Sequence, residues 1–145
     1  MMKKYMSVLL IMTAFSSFAQ VNVHTDMRTP TWNLIGLKYD KQVKPLVWKA
    51  IFPPELKAIN NKVIELPGFI IPTKVGNNFT EFMFSIVPVA SCPYCGTGDI
   101  PSMIEVKTLK PVTWTDEPIT LKGKFVINDS GDSRSVFFLL DAVKK

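Results

Sequence analysis

Between Lys62 and Lys145 the β-branched and aromatic residues gather in runs broken by Gly, Pro, Asn and Asp, and in one of them Ile119, Leu121, Phe125 and Ile127 alternate with Thr120, Lys122, Lys124 and Val126. A period of two is that of a pleated strand, whose successive side chains point to opposite faces. Four or five strands are predicted: Val63 to Ile71, interrupted at Pro67-Gly68; Phe79 to Val89; a shorter candidate from Met103 to Thr108; Ile119 to Ile127; and Val136 to Val143. In the second, Phe82, Phe84 and Ile86 share one face, and Met83, Ser85 and Val87 the other. The turn Asn128-Asp129-Ser130-Gly131-Asp132 joins the last two as a hairpin.

Two of these runs resemble each other. Ile64-x-Leu66-x-Gly68 and Ile119-x-Leu121-x-Gly123 share one spacing, and each leads into a second apolar strand. A glycine inside a strand weakens it when flat but permits the bend or bulge by which a strand turns a barrel corner. The chain is therefore expected to be mainly β, a small, partly open antiparallel barrel of the oligonucleotide/oligosaccharide-binding (OB) type with one short helix; a β-sandwich is the alternative. Substitutions at Gly76, in a turn, are expected to matter less than those at Gly68 or Gly123.

The upstream half is less patterned. Gln20 to Pro30 has no period and reads as a loose polar arm, and Thr31-Trp32-Asn33-Leu34-Ile35-Gly36-Leu37 as a short strand. An apolar stretch, Leu46 to Phe52, ends at Pro53-Pro54. Pro54 suits the first position of a helix, where its missing N–H would be unpaired in any case, so one or two helical turns are expected up to Ile59 before Asn60-Asn61 stops them.

The first residues have the form of a secretory signal: Lys3-Lys4, an apolar run from Met6 to Phe15, and small residues at Ser17 and Ala19. Cleavage is expected after Ala19, with the mature chain beginning at Gln20. No cysteine follows the apolar run to carry a lipid anchor, so the expected product is periplasmic or secreted, with no membrane span in the mature chain. Removing residues 1–19 takes away two lysines and no acid, which leaves 15 basic residues against 12 acidic ones and lowers the net charge from +5 to +3. The remaining lysines are scattered, which speaks against nucleic acid as a partner. The division expected is a signal peptide over 1–19, the arm over 20–30, and one β-rich domain over 31–145.

The chain's two cysteines lie together in Ser91-Cys92-Pro93-Tyr94-Cys95-Gly96. Three readings compete. Cys-Pro-Tyr-Cys is the active-site tetrapeptide of glutaredoxins, in which one thiolate attacks and the other resolves; here Gly96, Gly98 and Pro101 break the helix such a site needs. A disulfide suits an exported chain, although closing so small a loop stabilises by only about 2 kcal/mol. Two thiolates at this spacing also supply half of a tetrahedral zinc or a soft copper site, for which His24, Asp99 and Met103 are the weaker candidate ligands. Asp116-Glu117 and Asp129 to Asp132 read as solvated turns, and Phe82, Phe84, Phe137 and Phe138 as core rather than a base-stacking platform.

The succession of Trp32-Asn33-Leu34-Ile35, Phe52-Pro53-Pro54-Glu55-Leu56, Gly68-Phe69-Ile70-Ile71-Pro72 and Phe82 to Pro88 ahead of Cys92 resembles an uncharacterised family of bacterial exported proteins, domain of unknown function 3299. The chain departs from that pattern after Cys92, with Tyr94 where many members carry a histidine and Gly96 to Pro101 in place of a proline run. Members often accompany components of ATP-driven membrane transporters, so the resemblance implies an accessory role beside such a transporter. The expectation is an exported, non-enzymatic binding or accessory domain, with a thiol-disulfide redox protein using Cys92 and Cys95 as the alternative.

Overall fold

The computed structural model describes residues 27–88, 102–130 and 135–145. The expected signal peptide lies outside them, as does most of the arm; Met27, at the arm's end, donates its N–H to the Ile86 carbonyl at 3.1 Å.

Where a strand was expected at Thr31 to Leu37, the chain forms a helix, α1 (Pro30–Ile35). The cause is local. Thr29 has extended backbone and its hydroxyl accepts the Trp32 N–H at 3.2 Å, while Pro30 supplies a preset φ at the helix start. Trp32 and Ile35, three positions apart, then fall on one side and are buried together.

Next comes a hairpin of β1 (Tyr39–Lys44) and β2 (Val47–Ile51), followed by α2 (Pro54–Lys57), which starts at Pro54 as expected. The barrel follows: β3 (Val63–Ile71), β4 (Asn78–Ser85), β5 (Met103–Thr113), β6 (Ile119–Ile127) and β7 (Phe137–Lys144). They close in the order β3-β4-β5-β7-β6, an OB-like arrangement. The wall is closed rather than partly open, and two short helices accompany it rather than one. Four ladders are antiparallel; β5 and β7 run parallel, because the last strand inserts between β5 and β6.

β3 is one continuous strand and changes partner at the expected interruption. Val63 to Gly68 pairs with β6, whereas Phe69 to Ile71 pairs with β4. The two similar motifs pair with each other, Ile64 opposite Gly123, Leu66 opposite Leu121 and Gly68 opposite Ile119. β5 runs five residues beyond its expected end. Between the pairs Phe79–Val112 and Glu81–Lys107, β4 advances two positions and β5 five, so three residues of β5 bulge out, and Pro111 is accommodated beside that irregularity.

The interior is filled by Leu66, Ile70, Phe82, Phe84, Ile104, Val106, Leu121, Phe125 and Leu139, all nearly inaccessible. Trp32, Ile35, Phe52 and Leu56 join the same core, so both helices cap the barrel's interior. The Trp32 indole stacks on Phe84 with ring centroids 6.3 Å apart and donates Nε1–H to the Pro67 carbonyl at 2.7 Å, satisfying its one polar atom. Among the described residues no helix is long and apolar enough to cross a membrane.

Candidate functional site

The capped end of the barrel is also where a cleft opens. α1 ends at Gly36, and the chain turns into β1 through Lys38. Opposite stand Met83 of β4, Ser102 and Met103 at the start of β5, and Ser135 and Phe137 at the start of β7. These residues enclose about 490 Å³. A second recess of about 280 Å³, lined by Arg28, Asn33 and Leu37 among others, shares Gly36 and Ser102 with the first. Gly36 has ordinary helical φ, and a Cβ there would stand 3.8 Å from the Ser102 hydroxyl oxygen. Any side chain placed at Gly36 would therefore narrow the passage without straining the backbone.

Cross-strand register brings the two methionines into one wall. Met83 pairs with Glu105 and Ser85 with Met103, so Met83 and Met103 are diagonal neighbours on the outer face of the β4–β5 ladder. Beside them are the hydroxyls of Ser102 and Ser135, and a cation: Lys38, whose ammonium donates to Asp40 at 2.7 Å. The lining thus combines two soft thioethers, two hydroxyls and a cation, with apolar surface from Ile35, Val136 and Phe137. Ser85 is fully buried, and its hydroxyl is occupied in accepting the Val87 N–H at 3.2 Å.

Of the residues singled out from the sequence, Met103 is in this cleft. His24, Cys92, Cys95 and Asp99 lie outside the described residues. Among the described residues no three His, Cys, Asp or Glu side chains come together as a metal-ligating group. Phe82, Phe84 and Phe137 are core, as expected; Phe138 is buried on the barrel's outer face, in the row Glu105–Phe138–Val126, beside a hollow of about 400 Å³ that Lys107 and Leu140 also line.

Sequence reasoning missed Met83, Lys38, Ser102 and Ser135. Alternation had put Met83 on the non-core face of its strand, which was the available signal, but its partner across the ladder follows only from register. On the outer face of the β3–β6 ladder, Glu65 of β3 is held below its ordinary carboxylate value by the hydrogen bond from Lys145 at 2.9 Å, with the charges of Lys145 and Lys122 adding to the effect.

Comparison with protein-family models, with curated proteins and with solved structures finds no match to this chain.

Proposed function

We infer that this protein is an exported, non-enzymatic binding domain that takes its ligand in the cleft between α1 and the first residues of β5 and β7. The observation that carries the reading is the convergence of Met83, Met103, Lys38, Ser102 and Ser135 on one cleft of about 490 Å³. A hollow that sets a few converging polar groups beside apolar surface has the make-up of a ligand site. Two thioethers are soft donors that favour monovalent copper over zinc, and Ser102 directly follows the segment carrying Cys92 and Cys95 in the chain. The signal-like N-terminus supports export, and the resemblance to the exported family supports an accessory role near a membrane transporter.

The test is metal analysis, with a free-thiol count, of protein purified without a His tag, for the wild type, Cys92→Ser/Cys95→Ser and Gly36→Leu. Binding of monovalent copper or of zinc should be lost in the double variant and weakened in Gly36→Leu. The double variant should still fold, since so small a loop contributes at most about 2 kcal/mol. A large fall in melting temperature with metal binding preserved would make the cysteines a structural disulfide. Rapid exchange with a small disulfide would assign a redox protein instead.

A further inference from the structure

We propose that the β1–β2 hairpin is a docking arm for anionic lipid surfaces, with Leu46 and Trp48 entering the headgroup layer and Lys41, Lys44 and Lys49 meeting the phosphates. The arm stands away from the barrel. Its base, at Ala50 and Phe52, packs against the core, while every residue from Tyr39 to Lys49 is exposed. An isolated two-stranded hairpin is marginal in water, and this one presents apolar side chains to it: Trp48 is 62% exposed and Leu46, at the tip, 92%.

The tip is built at a conformational cost. Leu46 has φ 63°, a left-handed conformation that glycine or asparagine adopts more cheaply, yet the position carries a large apolar side chain aimed at solvent. Behind it the charges are sorted by face. Lys41 lies directly opposite Lys49, and Lys44 opposite Val47, so three lysines share one face with Tyr39. Like charges placed opposite each other destabilise a bare ladder, and the hairpin's one acid, Asp40, is on the other face with Trp48 and paired with Lys38, so the arm enters tip first, Leu46 leading and Trp48 two positions behind it on the face away from the lysines. An anionic surface would relieve that repulsion.

The same features favour lipid over two other occupants. The eleven exposed residues from Tyr39 to Lys49 are far fewer than the roughly 20–30 residues per side of a stable protein interface, whereas interfacial insertion needs only a few apolar side chains with lysines around them. Lysines on an exposed strand edge also hinder pairing with the same edge of a second copy.

The experiment is vesicle co-sedimentation of the protein as isolated, its N-terminus established by intact mass, with phosphatidylcholine vesicles and with phosphatidylcholine–phosphatidylglycerol vesicles. Binding is expected only to the second and should fall with added salt. Lys41→Gln/Lys44→Gln/Lys49→Gln should lower partitioning roughly 100-fold, each lysine near such a surface being worth about fivefold. Leu46→Asn should also weaken it while suiting the local φ, and Leu109→Asn, on the β5 bulge, should not. The tryptophan emission should shift to the blue on vesicles and lose that shift in Trp48→Phe. Equal binding to both vesicle types, binding unaffected by the lysine or Leu46 changes, saturable capture by polyglutamate in preference to vesicles, or a dimer abolished by those changes would each overturn the proposal. Unchanged thermal unfolding of the variants establishes that their barrels are intact.

Discussion

At Gly68 and Gly123 the decisive fact is room rather than conformational freedom. A Cβ at Gly68 would lie 2.7 Å from the Ser85 carbonyl oxygen and 2.8 Å from the Phe84 ring; at Gly123 it would lie 2.9 Å from both Leu139 Cγ and the Leu140 carbonyl oxygen. In each case one of the obstacles is backbone. Gly68→Val and Gly123→Val should each destabilise by about 1–3 kcal/mol, read by urea unfolding. Gly76 is the informative third. A Cβ there meets nothing nearer than 3.7 Å, but its φ is 151°, so a substitution acts through the backbone and is not the silent control its turn position suggested. Gly76→Val should cost about 1 kcal/mol, since the loop around it can relax. No change at Gly68 and Gly123 would remove close approach as the reason for glycine. Both positions were legible as mid-strand irregularities in the sequence; that their motifs face each other was not, because pairing partners 59 and 55 positions apart, as Ile64–Gly123 and Leu66–Leu121 are, are set by closure of the wall and not by local pattern.

Among the elements, the spans of β3 and β6 coincide with the runs read from the sequence, because the inward positions of each are core and most of the outward ones reach water. α1 does not. Thr31, Trp32 and Ile35 favour strands on propensity alone, and six residues are too few for a helical period to outweigh it. What decides is the Thr29-Pro30 start and the seat that the barrel offers Trp32. Thr29→Ala should therefore cost about 1 kcal/mol, and Trp32→Ala, which empties a position only 2% exposed, about 3–5 kcal/mol, both measured by thermal unfolding. Trp32→Phe should fall between them, since it keeps much of the stacking on Phe84 but leaves the Pro67 carbonyl without its donor. If Trp32→Ala unfolds no earlier than Thr29→Ala, the indole is not what seats the helix. The cleft was less legible than the strands. Met103 was marked by its chemistry, but Met83 and Lys38 reach it only through the β4–β5 register and the turn out of α1.

For the molecule as a whole, the β3–β6 seam is fastened from outside by Glu65, which bonds Lys145 at 2.9 Å and faces Lys122 at 3.6 Å. Its carboxyl titrates below the ordinary 4.5, chiefly because of Lys145. The stabilisation is therefore complete above that value and is lost as the pH falls through the lower folded value. The melting temperature of the wild type should drop more steeply than that of Glu65→Gln over that acid range. Salt should shrink the difference, because the pair is exposed; parallel pH curves would show the contact to be idle. The barrel's strand order has a temporal consequence as well. β7 is its last strand in sequence, yet it stands in the wall between β5 and β6. As the chain is synthesised, every other stave exists before the one that joins them, and β5 and β6 wait as bare edges across a gap until residues 137–144 arrive. A ribosome that stalls before Phe137 releases a domain that is not merely shortened but unlatched, with both edges open to whatever strand meets them first.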